Sequence, residues 1–334
     1  MRRWLAGGAA LASAVVTARR CRSILAAAPG MRPWNALVPY SIGSTRELAL
    51  LRRLYPDAAE PAPGVDVETH RPDGVPVFVH RPSGPASGPR PALLWFHGGG
   101  LIAGTAVADH ALCGRLAVEL EVVVVAVDYR LAPEHPFPAA LDDGATALAF
   151  LRSAADRLGV DPARIAVGGA SAGGGLAASL AQRSHDRGEP PLAFQLLVYP
   201  MLDDRTTLRR PAAGVGRLGW TPRSNRFAWR AYLGRSPRPA DAPPYAAAAR
   251  RADLAGLPPA WLGVGALDLF RDEVADYGRR LAAAGVPVEV HVEPRMFHGA
   301  DLAFPDHPGA RRFRSRMVTT LAEALAADPV TPAQ

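Results

Sequence analysis

Ile165-Ala166-Val167-Gly168-Gly169-Ala170-Ser171-Ala172-Gly173-Gly174 is the stretch from which the rest of the chain can be read. Its first three residues are a short apolar run suited to a strand buried on both faces. Gly168 to Gly173 then form a tight turn, and a small-residue helix opens at Gly174. A serine at the tip of such a turn is the G-x-S-x-G pattern, whose neighbours must be small because the serine backbone is strained and closely packed. Earlier in the chain, His97-Gly98-Gly99-Gly100 follows another apolar run, Ala92-Leu93-Leu94-Trp95-Phe96. Those glycines let a loop turn several backbone N–H groups toward one point. One motif supplies an attacking hydroxyl and the other donors for the negative charge that the attack creates, which points to acyl transfer.

Working outward, residues 65–70 and 75–80 alternate apolar and polar side chains around Asp73-Gly74 and read as a β-hairpin. Further strands are expected at 92–96, 122–127, 165–167, 194–198, 261–264 and 288–292. Helical patterns lie between them, at about 109–120, 139–158, 172–184, 271–284 and 310–326. Gly285 is placed to stop the fourth of these helices. Strands alternating with helices imply a mostly parallel sheet covered on both faces, with the hairpin as an antiparallel edge. Two stretches fit poorly: residues 1–55, largely helical, and residues 204–245, rich in Arg, Pro and aromatics. Both are assigned to a cap over the C-terminal ends of the strands, leaving 56–203 and 246–330 as the core.

A serine hydroxyl needs a base, because it is a poor nucleophile at neutral pH. His298, in Arg295-Met296-Phe297-His298-Gly299, follows the last expected strand and reaches the sheet edge that carries Ser171. His97, His135 and His291 read instead as loop-shaping, turn and surface residues. The acid should follow a strand and precede the histidine, as Asp268 does. Asp272 and Glu273 are its rivals, but they open a helix and read as partners of its dipole. Gly98, Gly99 and Ala172 are the expected oxyanion donors. The chain order Ser171, Asp268, His298 is that of α/β-hydrolase triads.

Composition narrows the chemistry further. All 38 basic residues are arginine, so Ser-Lys dyads, Schiff-base lysines and Walker P-loops are excluded. The net charge of +7 comes from scattered arginines without an aromatic platform, and no nucleic-acid partner is expected. Cys21 and Cys113 form no metal-ligand pattern, so neither metal nor cofactor is expected. Arg2-Arg3 precede an uncharged stretch from Trp4 to Ala18, too short for a comfortable membrane span. That stretch resembles a signal peptide with Val16-Thr17-Ala18 as cleavage site, yet the arginines that follow disfavour export. A cytoplasmic protein is expected, with export or weak membrane-surface contact through residues 1–30 as the alternative.

From Pro91 to the final helix, the chain resembles the hormone-sensitive lipase family of α/β-hydrolases, the bacterial family IV carboxylesterases. The resemblance rests on His97-Gly98-Gly99-Gly100, the run Asp128-Tyr129-Arg130-Leu131-Ala132-Pro133-Glu134-His135-Pro136-Phe137-Pro138, Gly169-Ala170-Ser171-Ala172-Gly173-Gly174, Tyr199-Pro200 and Phe297-His298-Gly299. It implies an eight-stranded, mostly parallel twisted α/β-hydrolase sheet with a helical cap. It further implies cofactor-free hydrolysis of short- to medium-chain esters through an acyl-serine, with a small-molecule ester as partner and a dimer among the oligomeric states allowed. Trp220, Phe227, Trp229 and Tyr232 fall in the inserted segment, where each either lines the acyl pocket or packs the cap onto the core. Ala170, Leu269-Phe270 and Ala300 depart from the family's usual residues and bear on substrate preference. An amidase or deacetylase on the same residues is the nearest alternative. A non-catalytic receptor of the same fold is the other, and it is disfavoured by the presence of His298.

Overall fold

The computed structural model describes residues 17, 18, 20–33, 41–53, 55 and 60–326 of the 334-residue chain. Its centre is one eight-stranded sheet in the order β1-β2-β4-β3-β5-β6-β7-β8. The strands are β1 (Val65–His70), β2 (Val77–Pro82), β3 (Arg90–Phe96), β4 (Val123–Val127), β5 (Val160–Ala170), β6 (Phe194–Val198), β7 (Ala260–Gly265) and β8 (Val288–Glu293). β1 pairs antiparallel with β2, and β2 with β4; every other pairing is parallel. The continuous apolar runs follow from this position. β4 and β6 are buried at every residue, because helices cover both faces of a parallel sheet.

The eight expected strands are present, with shifted boundaries that have local causes. The hairpin turns through left-handed Asp73 and Gly74, so β2 starts two residues later, after Pro76, which has no N–H to offer the ladder. β5 reaches back to Val160 across a register shift. There Asp161 and Arg164 pair with each other at 2.7 Å, a polar interruption that hides the strand from apolar periodicity. The helix expected over 139–158 breaks at Ala154 into Ala139–Ser153 and Ala155–Leu158, then stops at left-handed Gly159.

Two segments outside the sheet meet each other. Helix Thr45–Arg52 is capped by Ser44, whose side chain accepts the Glu47 N–H, while the Glu47 carboxylate accepts the Gly43 N–H and the Ser44 hydroxyl, a variant of the capping box. Arg223, in helix Pro222–Leu233, pairs with the same Glu47 at 2.9 Å, and Ser224 Oγ accepts the Ile42 N–H at 2.9 Å. Arg52 then ties this unit to the core, donating to Glu134 and to the carbonyls of Ile102 and Ala132. Earlier in the chain, Ile24, Ala27 and Met31 are buried in the main core. The signal-like reading of the N-terminus falls mainly on residues 1–16, outside the described residues. Among the described residues, no helix is long and apolar enough to cross a membrane.

Candidate active site

Ser171 sits between β5 and helix Ala172–Asp186 with φ 56° and ψ −116°, a conformation an ordinary residue adopts only when its surroundings force it. Its N–H donates to Val198 O at 2.8 Å, and its carbonyl accepts from Gly175 and Met201. The flanking glycines are required by close approach. A Cβ on Gly169 would run into the Gly173 backbone, and one on Gly173 would overlap the carbonyl oxygen of Phe96. The turn is therefore wedged against the end of β3, which also launches the His97-Gly98-Gly99-Gly100 loop.

His298 and Asp268 arrive from the far side of the sheet. His298 Nε2 stands 2.9 Å from Ser171 Oγ, and His298 Nδ1 stands 2.7 Å from Asp268 Oδ2. The second carboxylate oxygen of Asp268 accepts the Phe270 N–H at 2.9 Å, and the side chain is fully buried. Tyr199 and Phe270 meet the imidazole edge-on, with ring centroids at 4.8 and 5.2 Å, and hold its plane. Asp272 lies elsewhere, exposed and paired with Arg271.

Glu273 corrects the reading of a simple dipole partner. It is buried and accepts the N–H groups of Leu202 and Asp203 as well as the Thr206 hydroxyl. It thus pins the loop after β6 to the helix after Asp268. Burial pushes its carboxyl well above the usual range, against the pull of those hydrogen bonds.

Gly98 and Gly99 line the cavity that holds Ser171. Ala172 is the first residue of its helix, so its N–H is one of those without an intrahelical acceptor. The positive end of that helix also faces the serine. His97 shapes this loop as expected. Its Nδ1–H donates to Gly98 O at 2.7 Å, and its ring stacks on Tyr129 at 4.2 Å.

The cavity has a volume of about 250 Å³ and a mainly apolar wall that includes Ile42, Leu51, Ala170, Tyr199, Trp220 and Leu302. Of the four aromatics singled out from the inserted segment, Trp220 is on this wall, while Phe227, Trp229 and Tyr232 are not. Trp229 and Tyr232 are buried against each other, and Tyr232 also meets Phe137, so they pack the segment onto the core. Residues 229 and 232 share the face of helix Pro222–Leu233 turned to the core, whereas Trp220 precedes the helix. Several wall residues escaped sequence reasoning, Asp109 and Ile42 among them. Asp109 looked like a helix start, and Ile42 comes from the N-terminal segment; neither carries a local signal of cavity lining.

Comparison with known proteins adds an independent line. Residues 93–302 match the family model described as the alpha/beta hydrolase fold. The chain is 42% identical over 225 residues to the esterase LipI of Mycobacterium tuberculosis, covering 65% of this chain and 68% of that protein. It is 42% identical over 212 residues to the carboxylesterase NlhH of the same species, covering 63% and 66%. These alignments span about two thirds of the relatives' lengths. Among solved structures, a bacterial heroin esterase superposes with a TM-score of 0.82 at 35% identity, covering 91% of this chain and 99% of that one. The esterase LipW from Mycobacterium marinum gives a TM-score of 0.79 at 34% identity, covering 91% and 98%.

Proposed function

This chain belongs to the α/β-hydrolase family, in the hormone-sensitive-lipase-like branch with carboxylic ester hydrolases as its relatives, and from that premise we propose that it cleaves short-chain carboxylic esters through an acyl-enzyme on Ser171. The observation that carries this reading is the continuous hydrogen-bonded line from Ser171 Oγ through His298 to buried Asp268. Ser171 Oγ attacks the ester carbonyl carbon while His298 Nε2 takes its proton. The carbonyl oxygen, now negative, is held by the N–H groups of Gly98, Gly99 and Ala172. Asp268 keeps the proton of His298 on Nδ1 and stabilises the imidazolium without taking that proton itself. The tetrahedral species collapses, and His298 returns the proton to the departing alkoxide. Water then attacks the acyl-serine with His298 again as base, releasing the acid and restoring the enzyme.

The cavity volume supports the short-chain preference, since about 250 Å³ falls below the range of roughly 300–1,000 Å³ usual for drug-sized ligands. Segments 41–53 and 204–245 serve as the cap in this reading, with Ile42 and Trp220 closing the site from above. The test is Ser171→Ala against p-nitrophenyl butyrate. Loss of turnover by about 10⁴-fold or more is expected. Retention of wild-type rate, or an organophosphate adduct on another residue, overturns the assignment.

A further inference from the structure

Asp109 lines the same cavity as Ser171 and takes no part in the steps above. It is the only acidic side chain among the described residues of that wall, which includes no arginine. Its Oδ2 accepts the indole N–H of Trp95 at 2.7 Å, which anchors it to the end of β3. The helix that follows it, His110–Leu120, packs on β2 and β4. Asp109 therefore stands on the β3–β4 flank of Ser171, whereas Asp268 and His298 follow β7 and β8 on the opposite flank. The leaving alcohol must take its proton from His298, so the alcohol occupies that second flank. The acyl chain is left to the flank of Asp109.

A second unused group lines this cavity. His97 is only 2% exposed, and its Nε2 has no hydrogen-bond partner among the described residues. Because Nδ1–H donates to Gly98 O, Nε2 carries the lone pair and is an acceptor. Burial lowers the pKa of this imidazole, and burial raises that of the Asp109 carboxyl. An all-carbon acyl chain on this flank would desolvate the Asp109 carboxylate without pairing it.

We propose that Asp109 forms an acceptor subsite on the acyl side, selecting esters whose acyl chain carries a hydrogen-bond donor, either an ammonium or a hydroxyl group. This rests on the acyl-serine reading, so the test keeps the two apart. The ethyl esters of butanoic, 3-hydroxypropanoic and 3-aminopropanoic acids differ only in a terminal methyl, hydroxyl or ammonium group. Their kcat/KM values are compared by pH-stat at neutral pH for the wild type, Asp109→Asn and Asp109→Leu. The wild type is expected to favour at least one donor-bearing ester over butanoate by about tenfold or more. Asp109→Leu should reverse that ratio. Asp109→Asn retains an acceptor oxygen for Trp95 and for a hydroxyl, so it should lose preference for the ammonium ester while keeping that for the hydroxyl ester. A wild-type preference for butanoate, or one ratio common to all three proteins, overturns the subsite. Ester cleavage that persists in Ser171→Ala overturns the acyl-serine reading instead. If the leucine variant does not fold, the asparagine comparison decides alone.

Discussion

Asp268 and Asp272 are four residues apart and chemically identical, yet their surroundings differ completely. Asp268 is fully buried and divides its oxygens between His298 Nδ1 and the Phe270 N–H. Asp272 lies in solvent beside Arg271, where an ion pair contributes little. Asp268→Asn should lower kcat for a butyrate ester by about 10³- to 10⁴-fold, because the amide favours the wrong imidazole tautomer. Asp272→Asn should leave kcat within about twofold and move stability by no more than about 0.5 kcal/mol. Steady-state kinetics on both variants check this, and the reverse pattern would move the acid to Asp272. At this scale the candidate serine, histidine and acid were legible in the sequence, because each follows an apolar run and their order is constrained. Asp109 was not legible, since an Asp before a helix has an ordinary explanation and nothing nearby shows that it faces Ser171.

Between elements, the contact of β2 with helix His110–Leu120 carries a buried histidine pair. His110 Nδ1 lies 2.9 Å from His80 Nε2, while His80 Nδ1–H donates to Val124 O at 3.3 Å. Burial, with the nearby charge of His110 second, lowers His80 from 6.5 to about 4, and burial lowers His110 in the same direction despite Asp109 beside it. A depressed histidine pKa means that the folded state disfavours the charged form. The contribution of His80 to stability is therefore present above pH 6.5 and is lost as pH falls toward 4. A drop from 6.5 to about 4 corresponds to about 3 kcal/mol. His80→Gln keeps an acceptor for His110 but cannot titrate. Thermal unfolding followed from pH 7 to 4 should show a shallower loss in the variant, and parallel profiles would count against the assignment. Periodicity placed both elements, but it could not reveal that two histidines thirty positions apart share one hydrogen bond.

Across the whole molecule, the N-terminal segment is held onto the loop that carries His298. Arg295 donates to the carbonyls of Leu25, Ala26 and Ala27, each at 3.0 Å, and its own carbonyl accepts the Ala28 N–H. Ile24, Ala27 and Met31 fill the space beneath. Arg295→Ala should cost about 2 kcal/mol, the range of hydrogen bonds made by a charged donor, and lower the melting temperature by a few degrees. Hydrogen exchange should accelerate over residues 20–31 while the central strands keep their protection. Unchanged exchange there would show that apolar packing alone holds the segment. No sequence pattern pointed to this contact, because its partners lie at opposite ends of the chain.

The sequence alone determined the class of sheet, the eight strands and the serine turn, because those rest on local periodicity and on the conformations small residues permit. It also determined the chain order of the reactive groups. Only the tertiary structure decided that Gly173 must be small to clear the Phe96 carbonyl, and that Trp220 faces the cavity while Trp229 and Tyr232 face the core. It alone placed Asp109 across the serine from His298. The physical reason is that apolar pattern records how far a residue is buried, whereas the identity of its neighbour is set by strand order and helix packing among segments far apart in the chain.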